Sequence, residues 1–403
     1  MEIVSPCDAV TGFHKELTAI RRDLHAHPEL GFCETRTSGR VAGMLEALGI
    51  TVHRNIGKTG VVGVLPGSRT SSGRMIGLRA DMDALPMQEA NGFEHASTKP
   101  GLMHGCGHDG HTAILLGAAK YLAQTRNFDG TAVFIFQPAE EGLGGAKAMI
   151  DDGLFERFNC DSIYALHNWP GLPPGMIGVN PGPMMAAADR FEVVIQGRGG
   201  HGAHPYQAID PVLVASHIIT ALQSVVSRNV SALDAAVVTV ASVQAGDPLA
   251  MSVIPDQARL VGTVRTFRHS IQTMVEDRMR SLIEQVASAF GASAQLNYQK
   301  VYPATINTPK EAMFVADVAT ELFGADQVVR DLQPSMGAED FSFMLQHKPG
   351  AYFRLGQGGA EGGCFLHNPN YDFNDAVIPA GAGLFAALVE RSMPLNCTEP
   401  SNV

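Results

Sequence analysis

Short apolar runs alternate with longer amphipathic segments along the first part of the chain. Runs at residues 61–65, 75–79, 131–136 and 163–166 have the length and continuous apolar character of strands buried on both faces. Between two of them, residues 111–124 carry apolar side chains at helical spacing. This alternation is typical of an α/β domain, so we predict a mixed, largely parallel sheet with helices on both faces.

A different pattern begins after the glycine- and proline-rich segment 180–183. It predicts, in order, a strand at 190–196, a helix near 210–226, strands near 235–243 and 257–266, a helix near 271–290 and a strand near 294–299. The order βαββαβ is the ferredoxin-like, split-βαβ arrangement. An apolar strand returns at 352–355. We therefore expect a catalytic domain in two parts, residues 1–187 and 302–403, interrupted by an inserted α+β domain, residues 188–301.

Composition and charge narrow the classes of partner. The 403 residues are 45% hydrophobic and 17% charged, which is typical of a globular chain and excludes intrinsic disorder. Forty acidic against 29 basic side chains give a net charge of −11, which disfavours nucleic acid and anionic membrane as partners. Neither a long apolar span nor a secretion signal is recognisable. We expect a cytoplasmic protein that acts on a small molecule.

The cysteines are scattered, with no C-x-x-C pair, so we expect reduced thiols. They are Cys7, Cys33, Cys106, Cys160, Cys364 and Cys397. Five of them need no role beyond filling space as small hydrophobic side chains. Cys106 is the exception because of the residues around it.

Polar side chains follow three of the predicted strands. Asp81 and Asp83 follow one strand, Glu140 and Glu141 follow another, and His167 directly follows a third. Ligands of open α/β sheets bind beyond the carboxyl ends of the strands. We therefore expect these side chains to meet at one edge of the sheet.

The glycine-rich segment HGCGHDGH, residues 104–111, places Cys106 and His108 in a loop before a helix. Thiolate, imidazole and carboxylate are the ligand types of zinc and related divalent metals, and glycine lets such a loop fold tightly around an ion. We interpret His108 and His167 as metal ligands. The sequence leaves the roles of His104, His111 and His204 open.

The adjacent glutamates Glu140 and Glu141 can take two different roles in one metal site. One can bind a metal while its neighbour takes a proton from water made more acidic by that metal. The alternative is a solvent-exposed amino terminus of a helix, where acidic side chains complement the helix dipole. That alternative explains the charge of the pair but not its position after a buried strand.

Together these segments resemble a known family, the metal-dependent aminoacylase and carboxypeptidase-like amidohydrolases, in the branch of hippurate hydrolases and auxin-conjugate hydrolases. The resemblance extends over nearly the whole chain. It is carried by RRDLHAHPELGF (21–32), LRADMDALPMQE (78–89), MHGCGHDGHTA (103–113), FQPAEEG (136–142), ALHNWP (165–170), GRGGHGAHP (197–205), GTVRTF (262–267), GAEDFSF (337–343) and FLHNPNYDFND (365–375).

The resemblance implies two divalent metal ions per subunit, with the Cys106 thiolate bridging them. It implies that His108 and His167 hold one ion and that Glu141 and His367 hold the other. Without the resemblance, His367 would count as a lone surface histidine, since its surroundings show only a turn signal. Glu140 would be the general acid and base, and Asp83 a carboxylate that orients a ligand.

The resemblance also gives the inserted domain a role as lid and dimerisation surface. It implies that His201 polarises the scissile carbonyl, in this subunit's site or in a neighbour's, and that the protein is a homodimer or homotetramer. Asn229, Arg265 and Gly337 resemble positions that bind the substrate. Their alternatives are a helix cap, a surface ion pair and a turn glycine. Ser252 stands where many relatives carry Asn.

The sequence thus predicts an amidohydrolase that cleaves N-acyl amino acids of the hippurate type. The metal could be Mn, Zn, Co or Ni, because the ligand types admit each of them. A metallo-dipeptidase or carboxypeptidase of the same family and a non-catalytic, metal-stabilised binding protein are the alternatives. A further rival is thiol catalysis by Cys106, which would leave both glutamates without a role.

Overall fold

A computed structural model describes residues 5–359 and 364–395; Cys397 lies outside the described residues. Its α-helices are α1 (Pro6–Thr11), α2 (His14–Ala26), α3 (Thr35–Ala47), α4 (His108–Thr125), α5 (Gly145–Asp151), α6 (Leu154–Arg157), α7 (Pro211–Ser224), α8 (His269–Ala289), α9 (Pro309–Phe323), α10 (Phe341–His347) and α11 (Ile378–Ser392). Its strands are β1 (Thr51–Ile56), β2 (Gly60–Pro66), β3 (Met75–Asp81), β4 (Thr131–Gln137), β5 (Ser162–Pro170), β6 (Ile177–Gly178), β7 (Pro183–Met185), β8 (Ala187–Gln196), β9 (Gly200–His201), β10 (Ala236–Ala245), β11 (Val253–Ile254), β12 (Gln257–Thr266), β13 (Ser293–Tyr302), β14 (Thr305–Ile306), β15 (Val328–Val329) and β16 (Gly350–Gly358).

The chain divides into two compact units. The larger unit takes in the chain up to Met184, the segment Ile306–Gln333 and the chain from Asp340 onward. The smaller unit comprises Met185–Thr305 and Pro334–Glu339. Each unit has its own hydrophobic core.

The larger unit is built on an eight-stranded sheet in the order β1-β2-β4-β3-β5-β16-β6-β15. The four central strands β4, β3, β5 and β16 are parallel to their neighbours within this group. β2 joins β4 in antiparallel fashion and β1 joins β2 in the same way. Because the central strands are buried along almost their whole length, their sequences are continuously apolar until they reach one edge of the sheet.

Helix α4 lies against this sheet and is itself buried along most of its length. It packs with α11, α2 and α3 in the same core, which is why its sequence has few polar positions between Ile114 and Ala119. A helix that is apolar on most faces belongs in the centre of a large unit. Its first residue, His108, is thereby held at a fixed place beside the sheet.

The smaller unit is a four-stranded antiparallel sheet in the order β10-β12-β8-β13, with α7 and α8 packed on it. Chain order gives βαββαβ. α7 begins with Pro211 after Asp210, whose side chain accepts a hydrogen bond from the N–H of Val212 at 2.9 Å and so caps the helix. The apolar faces of α7 and α8 enclose one core with the sheet.

The predicted fold class is confirmed: a mixed, mainly parallel α/β sheet with a ferredoxin-like α+β arrangement in the other unit. The periodicity did not reveal strand β1 or the two-residue strands β6 and β15, because such short or half-exposed strands carry little apolar signal. Cys7, Cys33, Cys106, Cys160 and Cys364 are free thiols, as predicted. Among the described residues, no helix is both long and apolar enough to cross a membrane.

Candidate metal centre

Three neighbouring strands of the larger unit deliver polar side chains to one edge of its sheet. β3 ends at Asp81, and Asp83 follows two residues later. The loop after β4 carries Glu140 and Glu141, and β5 contains His167. Because β3 is parallel to both β4 and β5, the carboxyl ends of all three strands meet at this edge.

Cys106 and His108 arrive from the amino end of α4. Gly107 between them has φ of 92°, a conformation that L residues with a side chain rarely adopt. A Cβ atom at this position would lie 2.4 Å from Oδ1 of Asn168 and 2.6 Å from the hydroxyl oxygen of Tyr371. Only glycine therefore allows the loop to pass this closely and to present Cys106 and His108 to the edge of the sheet.

The five predicted metal ligands come together around Cys106. Donor atoms of Cys106, His108 and His167 lie within 4.8 Å of one another, and so do those of Cys106, Glu141 and His367. Sγ of Cys106 is 3.4 Å from Nε2 of His167. Cys106 thus belongs to two adjoining donor sets.

Hydrogen bonds fix which ring nitrogen of each histidine faces this cluster. Nδ1 of His108 lies 2.9 Å from the main-chain oxygen of Asp83 and 3.2 Å from its Oδ1, while Nδ1 of His167 lies 2.7 Å from the main-chain oxygen of Asn168. These oxygens require Nδ1 to be the donor, which leaves the lone pair on Nε2 in each neutral ring. A histidine oriented in this way is prepared for metal binding through Nε2.

Two buried polar atoms of the cluster have no hydrogen-bond partner within the described residues: Nε2 of His108 and Oε1 of Glu141. Nε2 of His367 lies 3.2 Å from that oxygen, but not in hydrogen-bonding geometry. Leaving buried polar atoms unpaired is unfavourable, and one divalent cation in each of the two donor sets would satisfy both atoms. One sulfur, three imidazole nitrogens and a carboxylate suit divalent transition metals, so these residues fit the divalent metal ions that the sequence predicts.

The electrostatics of Cys106 disfavour thiol catalysis. Burial raises the pKa of its thiol well above the ordinary value, and the charges of Glu141 and Glu140 raise that pKa further. Burial, helped by the charge of His111, holds the pKa of the neighbouring His167 well below its ordinary value. A reactive thiolate needs a cationic neighbour, and the imidazole in contact with Sγ, that of His167, is neutral. A bound metal cation would supply that charge.

The Glu140–Glu141 loop is held by carboxylates beneath it. Oδ1 of Asp83 accepts the N–H of Glu140 at 3.0 Å, and Oδ2 accepts the N–H of Glu141 at 2.9 Å. Ala139 has φ of 55°, and its N–H donates to Oε1 of the fully buried Glu34 at 2.8 Å. The backbone of the loop is therefore fixed before either glutamate side chain acts.

Asp81 has a structural place beside the cluster. Its Oδ1 lies 2.6 Å from Nδ1 of His111, and its Oδ2 accepts a hydrogen bond from Nη1 of Arg79 at 2.7 Å. Burial would raise the pKa of Asp81, but the charges of His108, Arg79 and His111 outweigh burial and lower that pKa well below its ordinary value. Asp81, His108 and His111 also bring donor atoms within 4.8 Å. Because both oxygens of Asp81 are already engaged, we favour the cluster around Cys106.

Arg79 connects the metal centre, through Asp340, to Glu140, the candidate for proton transfer. It is completely buried, and its Nη2 donates to Oδ1 of Asp340 at 3.1 Å. The main-chain N–H of Asp340 lies 3.4 Å from Oε1 of Glu140. Arg79 is thus a buried cation among several carboxylates, and it stabilises their charge.

The smaller unit carries His201, which is predicted to polarise the scissile carbonyl, and three predicted substrate-binding residues, on four separate segments. His201 is exposed on β9, and its Nδ1 accepts the N–H of Ala203 at 3.0 Å. Asn229 is exposed at the end of a π-helical turn after α7, and Arg265 is half-buried on β12. Gly337 is exposed in the segment 334–339, where its N–H donates to Oγ of Ser335 at 3.0 Å.

The histidines left open by the sequence separate clearly. His111 is buried against Asp81 and Asn168, and His204 is exposed with its ring 5.3 Å from that of His201. His104 is buried, and neither of its ring nitrogens has a hydrogen-bond partner in the part of the chain that the structure describes; burial lowers its pKa to about 4, so this ring is neutral. Ser252 contributes its main-chain oxygen, which accepts the N–H of Gly202 at 2.7 Å.

Sequence reasoning missed Arg79, Glu34 and Asp340. Arg79 and Asp340 both lie inside segments that resemble the amidohydrolase family, so their motifs were a usable signal. Glu34 had no such signal, since its partner Ala139 is 105 residues away along the chain.

Comparisons with known proteins place the chain in a family. The model of "Peptidase family M20/M25/M40" matches residues 77–391. The chain is 43% identical to the hippurate hydrolase of Campylobacter jejuni, covering 93% of this chain and 95% of that protein. It is 39% identical to an IAA-amino acid hydrolase of Arabidopsis thaliana, covering 94% and 86%. A crystal structure described as a dinuclear metal binding peptidase of the M20 family from Bacillus subtilis superposes with a TM-score of 0.83 at 36% identity, covering 95% and 99%.

Proposed function

Because the chain belongs to peptidase family M20/M25/M40 and is a metal-dependent amidohydrolase, we propose that it cleaves the amide bond of N-acyl amino acids of the hippurate type. The products would be a carboxylic acid and a free amino acid. The observation that carries this proposal is the convergence of four metal-donor side chains on a fifth, Cys106, with Glu140 beside them.

In this proposal, Cys106, His108 and His167 would hold one divalent ion, and Cys106, Glu141 and His367 would hold the other. When bound, the ions supply Lewis acidity, which makes water more acidic and polarises a carbonyl. Mn, Zn, Co and Ni all suit a set of sulfur, nitrogen and oxygen ligands.

Glu140 is the proton carrier of the proposed reaction. It is 7% exposed, and one of its carboxylate oxygens lies within 4.8 Å of donor atoms of both His108 and Glu141. Its carboxylate takes a proton from the attacking water as the new C–O bond forms. The same carboxyl group then gives that proton to the amide nitrogen as the C–N bond breaks. Asp83 and Glu34 keep the loop in place during both transfers.

We assign substrate binding to residues of the smaller unit. His201 would donate a hydrogen bond to the developing oxyanion, in this subunit's site or in that of a partner. Asn229, Arg265 and the amide of Gly337 would bind the carbonyl or the substrate carboxylate. We further propose a homodimer or homotetramer formed through this unit, which light scattering of the purified protein tests directly.

A hydrolysis screen tests the substrate class. Metal-depleted protein is reconstituted separately with Mn²⁺, Zn²⁺, Co²⁺ and Ni²⁺ and assayed on benzoyl-glycine, acetyl and indole-acetyl amino acids, and unblocked dipeptides. We expect the N-acyl amino acids to be cleaved with the highest kcat/KM. Preferential cleavage of dipeptides would reassign the protein to the carboxypeptidase activity, and full activity in excess chelator would exclude the metal mechanism.

Two neighbouring substitutions separate proton transfer from metal binding. Glu140→Gln should keep its metal and lose about 10²–10⁴-fold in kcat, because the amide cannot carry the proton. Glu141→Gln should lose metal as well as activity, because a ligand is removed. Metal content by elemental analysis and kcat on benzoyl-glycine are measured together. Glu156→Gln, at an exposed glutamate of α6, is the control. A Glu140→Gln enzyme with unchanged kcat contradicts the assigned role.

A further inference from the structure

A cleft opens at the amino ends of central strands of the larger unit's sheet, opposite the ends that carry the metal centre. Its volume is about 450 Å³. Among its lining residues, Arg74 immediately precedes β3, Ser162 begins β5 and Pro349 immediately precedes β16, so the cleft lies at the amino ends of the strands. Asp81, at the other end of β3, is about 20 Å away along that strand. The cleft is therefore separate from the metal centre.

A carboxylate that lines this cleft has one buried oxygen with no donor among the described residues. Glu311, in the first turn of α9, is 9% exposed. Its Oε2 atom is fully buried and accepts no hydrogen bond within the described residues. A buried carboxylate oxygen without a donor is unfavourable, so the cleft has an unmet requirement for a cationic or N–H-bearing group.

Basic side chains line the same cleft. Arg391 is paired with Glu321, and Arg74 donates to the main-chain oxygen of Ser392. Lys310, by contrast, is exposed and forms no ion pair with any residue in the ranges 5–359 and 364–395. Its ammonium group is next to Glu311 in sequence and is available to an anion.

The uncharged residues of the cleft suit a small molecule with an apolar part. Phe314 and Pro349 provide apolar surface. Tyr164 provides a hydroxyl group, and burial raises the pKa of that group to about 12, so it stays neutral at physiological pH. The cleft therefore combines the buried carboxylate of Glu311, a free ammonium group, a neutral hydroxyl and an apolar wall. Its other carboxylate, that of Asp161, already accepts the N–H of Met75 at 2.7 Å.

From this arrangement we propose that the cleft binds a free α-amino acid with an apolar side chain. The ligand's ammonium group pairs with Glu311, and its carboxylate pairs with Lys310. A free amino acid is also the class of product that the proposed reaction releases. That link to the reaction rests on the proposed function, whereas binding in the cleft does not.

Titration calorimetry of the metal-loaded, full-length protein tests the ligand class. L-leucine is compared with 4-methylpentanoate, which lacks the ammonium group, and with 3-methylbutylamine, which lacks the carboxylate. Each partial ligand loses one of the two charge pairs, so we expect each to bind at least about tenfold more weakly than L-leucine. Equal affinity of either compound, or no measurable binding of L-leucine, overturns the proposal.

Two substitutions locate the binding. Glu311→Gln and Lys310→Gln should each weaken L-leucine at least about tenfold and leave benzoyl-glycine hydrolysis unchanged. Glu156→Gln and Lys147→Gln, both at exposed positions, are the matched controls. Leucine binding that survives both cleft variants but disappears with the metal would place the ligand at the metal centre and overturn the proposal. Glu311-dependent binding by a protein that hydrolyses no N-acyl amino acid would instead contradict only the proposed function.

Discussion

The metal centre of the larger unit and the predicted substrate residues of the smaller unit differ in how their side chains are held. Around Cys106, the side chains of His108, His167 and Glu140 are buried and their orientation or backbone is fixed by hydrogen bonds. His201 and Asn229 are exposed. The buried side chains of the metal centre are oriented by contacts within the larger unit. The exposed side chains of the smaller unit act only when a substrate or a partner subunit binds to them.

The largest expected effect comes from removing the sulfur atom of Cys106, which belongs to both donor sets. Cys106→Ser should lose most of its metal and more than about 10³-fold in kcat/KM, because serine is a poor ligand for transition metals. Elemental analysis and benzoyl-glycine hydrolysis measure the two losses. Cys160→Ser changes an equally buried thiol outside the donor cluster and should retain its metal. Retention of metal by Cys106→Ser would place the ions elsewhere.

The next largest effect is expected at an exposed residue of the smaller unit. His201→Ala should lower kcat by about 10²–10³-fold, the usual consequence of removing one oxyanion donor. Metal content and melting temperature should not change, because His201 is exposed on β9. His204→Ala, whose ring lies 5.3 Å from that of His201, is the control. Equal effects of the two substitutions would contradict a specific role for His201.

A smaller effect is expected where a carboxylate acts only through its neighbours. Asp83→Asn should lower metal affinity or kcat about 10–100-fold, because the amide cannot accept from His108 and from both loop N–H groups at once. Competition with a chelator and steady-state kinetics measure both quantities. Asp151→Asn, at an exposed ion pair with Lys147, should change neither. An unchanged Asp83→Asn enzyme would show that the loop holds its conformation without this carboxylate.

The smallest effect concerns stability and pH. Burial lowers the pKa of His25, but Asp109 and Glu89 outweigh burial and the charge of Arg21, and they raise that pKa from 6.5 to about 9. A raised pKa means that the folded protein holds this proton more tightly than the unfolded chain. The stabilisation is complete below about pH 6.5 and is lost as the pH rises through about 9.

Melting temperatures between pH 6.5 and 9.5 check this expectation. The wild-type protein should lose about 2 °C or more over this interval relative to His25→Gln, which lacks the titrating group. His217→Gln, in the smaller unit, serves as the comparison and should follow the wild-type profile. Parallel profiles for wild type and His25→Gln would show that the buried pair with Asp109 does not titrate in this range.

Much of the fold was predictable because the central strands are buried on both faces. Their continuous apolar sequences predicted β2, β3, β4 and β5 to within a few residues. Acidic or imidazole side chains lie on or just after three of these strands, β3, β4 and β5, and they indicated the edge where the metal centre lies. His367 gave no such signal. It lies in a turn with φ of 62°, and only the family resemblance pointed to it.

Residues that support the centre were less predictable. His25 had the sequence pattern of a helix end before a proline, yet it is buried against Asp109 and Glu89. Glu34 is completely buried against Ala139, a contact between distant parts of the chain. Nothing in the local sequence distinguishes these side chains from solvated ones, because their environment is created by packing.

The sequence by itself determined the types of ligand, the succession of strands and helices along the chain and the edge at which polar residues gather, since these follow from residue chemistry and local periodicity. Only the tertiary structure decided which nitrogen of His108 and His167 faces Cys106, and that Arg79 is buried among the carboxylates beneath. The physical reason is that hydrogen-bond direction and burial depend on groups far apart in the chain, and these come within a few ångströms only when the sheet has formed.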